Sequence, residues 1–268
     1  MIHTHTIYTT MKNKCTKMFF LTLIYLTVAS CSNDALTPVF GGEQEIGKVV
    51  ISSYSALEDS LQIVADGKVL EIGTQDAFKQ KIKTEYNFVF YDHKTEKIDI
   101  INKKTRETLK SYSFTTDKAI DTISFYVNDG IWIDGMLKNK PGVLSATGRT
   151  GYRFIFPTMN RYSNSGYDGP VDAIIKKING QLLGVAENIT KEDFSNYIEF
   201  AFAPPPIINV ELVKHGTTES YIAGQQVILQ MVMQNNKSKL ILLNEKANES
   251  GTFTGVEGNI NVADYFEF

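Results

Sequence analysis

Leu61-Gln-Ile-Val-Ala-Asp-Gly-Lys-Val-Leu-Glu-Ile72 reads as two short strands joined by a two-residue turn. Aliphatic and β-branched residues fill both arms. Asp66-Gly67 supplies the pair that tolerates positive φ at both central positions of a type I′ turn. Residues 172–184 (DAIIKKINGQLLG) follow the same plan around Asn179-Gly180. Across a polar loop, each hairpin is preceded by a short strand, 48–51 (KVVI) and 153–156 (RFIF). The match predicts an internal repeat, against the alternative that any two β-hairpins look alike.

Working outward, the same texture continues on both sides. Apolar or alternating runs recur at 87–91, 97–101, 108–114, 122–127, 131–133, 196–202, 208–213, 226–233, 239–243 and 251–256. Turn residues separate them, and only 74–84 (TQDAFKQKIKT) has a helical look, for one turn at most. A parallel α/β fold needs crossover helices that this chain lacks. The pattern predicts an all-β protein of two antiparallel β-sandwich domains in tandem. The Gly/Ser/Thr/Pro-rich stretch 137–151 (LKNKPGVLSATGRTG) divides them, giving domains at 48–138 and 150–268. A single up-and-down barrel is the alternative that the boundary loop and the repeated hairpin oppose. Pro204-Pro205-Pro206 cannot donate ladder bonds and so belongs on an edge or between sheets.

The N-terminal region is set apart from the fold. Lys12, Lys14 and Lys17 precede an apolar run at 18–28 (MFFLTLIYLTV), which is too short to span a hydrocarbon layer of ~30 Å as a helix. Val28-Ala29-Ser30-Cys31 follows, and it resembles the lipobox of bacterial type II lipoprotein signals. The resemblance implies cleavage before Cys31 and acylation of that residue, with two or more chains giving firm attachment. Residues 1–30 are then a lipoprotein signal peptide, with 1–10 (MIHTHTIYTT) lying upstream of a start at Met11. Residues 31–47, with Pro38, Gly41, Gly42 and Gly47, read as a flexible tether.

The Cys-Ser-Asn-Asp opening and the Lys/Ile/Asn/Tyr-rich composition resemble Bacteroidetes-type lipoproteins with tandem immunoglobulin- or transthyretin-like sandwiches. That resemblance implies an outer-membrane address, on the periplasmic or the extracellular face. It also implies O-glycosylation at Asp-Ser/Thr-aliphatic triplets, here Ser60 (Asp59-Ser60-Leu61) and Thr122 (Asp121-Thr122-Ile123).

Charge and residue chemistry narrow the function. The chain has 27 basic and 30 acidic side chains, and loss of the three signal lysines makes it more anionic. Nothing in that balance attracts nucleic acid. Cys15 leaves with the signal and Cys31 is lipidated, so no disulfide is expected. His93 and His215 sit in charged, turn-like contexts, and no nucleophile, zinc or phosphate-loop motif is present. The Asx-Gly clusters at 128–135 and 164–169 match no EF-hand and fit tight turns. No catalytic residue, metal or cofactor is predicted.

Three aromatics are candidate ligand-binding residues: Trp132, the only tryptophan, with Tyr162 and Tyr167 in a polar loop. Exposed rings of this kind stack on sugars, although Trp132 between two isoleucines also suits a core. The expectation is a non-enzymatic, lipid-anchored envelope protein that binds a polysaccharide or an envelope protein partner. An adhesion or complex subunit is the alternative, and a hydrolase is the less favoured one.

Overall fold

The computed structural model describes residues 44–91 and 95–268, so Cys31 with its lipobox, most of the tether and His93 lie outside the described residues. Alternation sets the first strand. In β1 (Gln44–Ser55) every second residue from Gly47 onward is buried. It pairs antiparallel with β4 (Gln80–Tyr91), Gly47 opposite Phe88. The Phe88 ring occupies the space a side chain at Gly47 would need, since a Cβ there would stand 2.1 Å from the ring. The strand begins at Gln44, inside the segment expected to be tether.

The remaining strands of the first half are β2 (Leu61–Ala65), β3 (Lys68–Val69), β5 (Glu96–Asn102), β6 (Thr108–Phe114), β7 (Ile120–Ile123), β8 (Phe125–Asn128) and β9 (Ile131–Asp134). One sheet has the order β4-β1-β8-β9, with β7 also beside β1, and the other is β3-β2-β5-β6. Val49 and Ile51 from the first sheet and Leu61, Ile63, Ile98 and Ile100 from the second share one buried core.

The second half comprises β10 (Arg149–Ile155), β11 (Val171–Lys177), β12 (Leu182–Ile189), β13 (Ile198–Ala201), β14 (Ile207–Lys214), β15 (Ile228–Val232), β16 (Lys237–Ala247) and β17 (Phe253–Asn261). Its sheets are β13-β10-β16-β17 and β12-β11-β14-β15. Tyr152, Phe154, Val171, Ile175, Val210 and Leu243 lie in the core between them. Strand for strand, this is the order of the first half, with β10 standing for β1 and β16 for β7 and β8. The protein is therefore all-β and built of sandwiches. The repeat read from two hairpins extends to the whole topology.

Three details depart from expectation. Each sandwich contains one parallel contact in an otherwise antiparallel set, β1 with β7 and β8, and β10 with β16. An immunoglobulin domain places its first strand in the sheet of its second. Here the first strand shares a sheet with the fourth and with the last strands of its half, so the immunoglobulin order is not the one found. The two hairpins also turn differently. Asp66 and Gly67 both have positive φ (46° and 75°), as type I′ requires. In the second hairpin Lys177 N donates to Gln181 O at 2.8 Å and Gly180 N to Lys177 O at 2.9 Å. That closes a three-residue loop with Gly180 left-handed, not the two-residue turn expected of Asn179-Gly180. The prolines at 204–206 lie between β13 and β14, which belong to opposite sheets.

Candidate functional site

Period-two alternation in β9 sends Ile131 and Ile133 to one side and Trp132 and Asp134 to the other. The isoleucines enter a third buried cluster, where Tyr126 and Met136 meet Ile155, Phe194, Leu240, Leu242 and Val262 of the second sandwich. Trp132, half-buried, stacks on Phe125 with ring centres 4.3 Å apart and planes 25° off parallel. Its indole Nε1 donates to Asp134 Oδ1 at 2.9 Å. Packing on one face and a hydrogen bond at the edge thus fix the ring.

Asp134 gathers the neighbouring strand. Tyr112 Oη donates to its Oδ1 at 2.5 Å, and Lys110 Nζ stands 2.8 Å from Oδ2. Burial alone would raise the Asp134 carboxyl, but the hydrogen bonds from Lys110, Tyr112 and Trp132 hold it below the usual carboxylate range. The Tyr112 hydroxyl is pushed well up, by burial first and by the Asp134 carboxylate second. Asp134 is therefore anionic and Tyr112 a neutral donor at neutral pH.

Trp132 walls two hollows. One, of about 330 Å³, is lined by Lys110, Trp132 and Asp134 and, from the second sandwich, by Pro157, Lys191 and Glu192. The other, of about 180 Å³, is more apolar, with Leu57, Leu109 and Val127 beside the ring. Arg161 Nη2 donates to Gly130 O at 2.6 Å and ties the two sandwiches at this rim. A fixed aromatic ring flanked by a carboxylate and ammonium groups in a junction hollow suits a ligand with both a C–H face and hydroxyls.

The two tyrosines are placed elsewhere, and neither lines a hollow beside Trp132. The loop after β10 winds around Glu245, which is 1% exposed. Tyr162 N and Ser163 N donate to its Oε2 at 2.7 and 3.0 Å, and Asn160 N, Ser163 Oγ and Tyr221 Oη to Oε1. Tyr167 packs on the second core and gives its hydroxyl to Pro170 O at 2.7 Å. Both rings are half-buried. Ser60 is half-buried in the loop before β2, and Thr122 is half-buried within β7.

His215 has a partner the sequence did not indicate. Its Nδ1 lies 2.9 Å from Oδ1 of Asp172, a residue 4% exposed that also accepts from Asn188 N and Gly216 N. Burial would raise the Asp172 carboxyl, but the Gly216 and Asn188 amides and His215 hold it low, and its carboxylate raises the imidazole in turn. Two chain segments, at Asn188 and at His215-Gly216, converge on that carboxylate, so it pins turns together. Among the described residues no cluster of three or more metal-ligating side chains is present.

No protein-family model matches the chain, and neither does any curated protein. Among solved structures it is similar to the Bacillus anthracis TIE protein at 10% identity and a TM-score of 0.24, over 76% of this chain and 34% of that one. The chain thus spans about a third of that protein's length. It is also similar to the family 26 carbohydrate-binding module of Eubacterium rectale Amy13K, at 11% identity and a TM-score of 0.22, over 81% of this chain and 99% of that one. A family 41 carbohydrate-binding module from streptococcal virulence factors is similar at 13% identity and a TM-score of 0.24, over 80% of this chain and 97% of that one.

Of the surroundings of Trp132, Asp134 was within reach of the sequence, because residues two apart on a strand share a face. Lys110, Tyr112, Lys191 and Glu192 arrive through tertiary packing and leave no local signal.

Proposed function

We propose that the protein is a non-enzymatic carbohydrate-binding module with Trp132 as its stacking platform. The supporting observation is the fixed, half-buried indole walling two hollows, with Lys110, Asp134, Lys191 and Glu192 around the larger one. A pyranose would set its C–H face on the ring and its hydroxyls on the flanking charges. In this reading a lipid on Cys31 carries the module at the outer membrane, where a polysaccharide is its partner. The module exerts no chemistry on the glycan.

Trp132 is the only tryptophan, so its emission reports directly on the site. Titration with a panel of soluble polysaccharides should shift that emission for at least one member. Trp132→Ala should then weaken retention in a gel containing that polysaccharide by ~30-fold or more, the loss typical of an aromatic anchor worth about 2 kcal/mol. Silence across the panel, or retention unchanged in Trp132→Ala, sinks the proposal. Separately, Cys31→Ala should leave the membrane fraction while keeping its fold. If it stays with the membrane like wild type, the anchor is wrong.

A further inference from the structure

β15 is the outer strand of the sheet β12-β11-β14-β15. Its hydrogen-bond parity is fixed at both ends, because Leu212 N donates to Val227 O at 2.9 Å and Met233 N to Pro206 O at 2.7 Å. Odd-numbered residues therefore face β14. In an antiparallel ladder the alternate residues turn their N–H and C=O the other way, so Ile228, Gln230 and Val232 direct their main chain to the open edge. Lys239 Nζ agrees, reaching Val232 O from that side at 3.3 Å. The side chains of the same three residues lie on the outer face, with Ile228 48% and Val232 60% exposed.

An open edge is normally guarded by charge, proline or a bulge. Among the described residues the other edge strands β3, β4, β6, β7, β9, β12, β13 and β17 each contain a charged residue. β15 contains none, and no charge falls anywhere in residues 220–236. Its ladder with β14 runs without a register shift.

We propose that this edge pairs with the same edge of a second copy, antiparallel about a two-fold axis at Gln230, continuing the sheet through a homodimer. The strand is self-complementary in that register. Gln230 faces its own counterpart, and each exposed Ile228 faces the other copy's exposed Val232, with no like charges opposed. These main-chain groups are those of hydrogen-bonded pairs, so each facing pair can exchange two bonds once the Lys239 Nζ contact on Val232 O is displaced. Beside the strand a groove of about 560 Å³, lined by Lys239 and Ile241 and by Val256 of β17, leaves room for the incoming backbone.

The test uses the full chain in detergent. Facing Cα atoms of a hydrogen-bonded pair stand ~5.5 Å apart, within disulfide range. Gln230→Cys should therefore form a covalent dimer on oxidation, above the wild-type background. Asn209→Cys, one strand further in on the same face, should not. Wild type should sediment as a dimer, and Gln230→Lys, which sets two ammonium groups at the axis, should convert it to a monomer with an unchanged circular-dichroism spectrum. A monomeric wild type overturns the proposal, as does a dimer that Gln230→Lys leaves intact. Neither outcome bears on the Trp132 cleft, which lies beside β9 and β6 of the first sandwich.

Discussion

Glu245 and Asp172 show what a single buried carboxylate does in this protein. Glu245 accepts five hydrogen bonds, three of them from the main chain of the loop after β10. Each donor left without a partner in a buried site costs about 1–3 kcal/mol. Glu245→Ala should therefore cost ~3–5 kcal/mol in denaturant unfolding, far more than Glu249→Ala in the exposed turn after the same strand. Asp172 works with His215, and its dependence on pH has two limits. Its lowered carboxyl contributes stability above the ordinary value of 3.8, which is lost as pH falls through the lower folded value. The raised imidazole contributes fully below 6.5, and that part is lost as pH rises through the higher folded value. The melting temperature of wild type minus that of His215→Gln should thus be largest between about pH 4 and 6.5. A difference that grows above that window would refute the pairing as a stabilising contact.

At the scale of elements, strand periodicity and turn residues are local properties, and they were legible. The hairpin at Asp66-Gly67, the alternation of β1 and the dominance of strands among the described residues all follow from neighbours within a few residues. What was not legible depends on partners far along the chain. The parallel seam of β1 with β7 and β8 joins segments some seventy residues apart. Even the turn at Asn179-Gly180 took its form from closure at Lys177 and Gln181, which an Asn-Gly pair does not specify. Gly47 carries the same lesson. Its φ is ordinary, so only Phe88 on the facing strand explains why a side chain is excluded there. Gly47→Ala should cost ~1–3 kcal/mol through overpacking, and Phe88→Leu should recover part of that loss in a double-mutant cycle. Gly67→Ala should cost ~1–2 kcal/mol for a different reason, because the turn needs a left-handed residue, and no second-site change should rescue it. Additive losses in the Gly47–Phe88 cycle would show that the ring is not what excludes a side chain.

Across the whole molecule, the two sandwiches share a core that the boundary loop did not announce. Ile131 and Ile133 look like ordinary interior positions of β9, yet they pack against Ile155, Leu240 and Leu242 of the other sandwich. The loop itself is held down, since Ser145 N donates to Glu199 at 2.9 Å and Gly142 and Gly151 lie against the Tyr197 ring. Beyond β17 the chain returns to the first sandwich. Tyr265 stacks on Tyr54 at 4.2 Å and lies 5.6 Å from Tyr126, while Lys81 and Lys83 pair with Glu267. Exposed ion pairs contribute about 0–1 kcal/mol each, so the aromatic stack is the stronger tie. Domains joined only by a linker unfold in separate steps, whereas a shared apolar core couples them. Calorimetry should accordingly show one cooperative transition for the region from residue 44 onward. Tyr265→Ala should lower its midpoint by the equivalent of about 2 kcal/mol, less than the ~3–5 kcal/mol of a fully buried aromatic because the ring is half-buried. Lys81→Ala should move it little. Two resolved transitions in the wild-type chain would mean that the third cluster does not couple the sandwiches. In that case the hollow beside Trp132, whose far wall is Pro157, Lys191 and Glu192, would open and close with their relative motion instead of standing preformed.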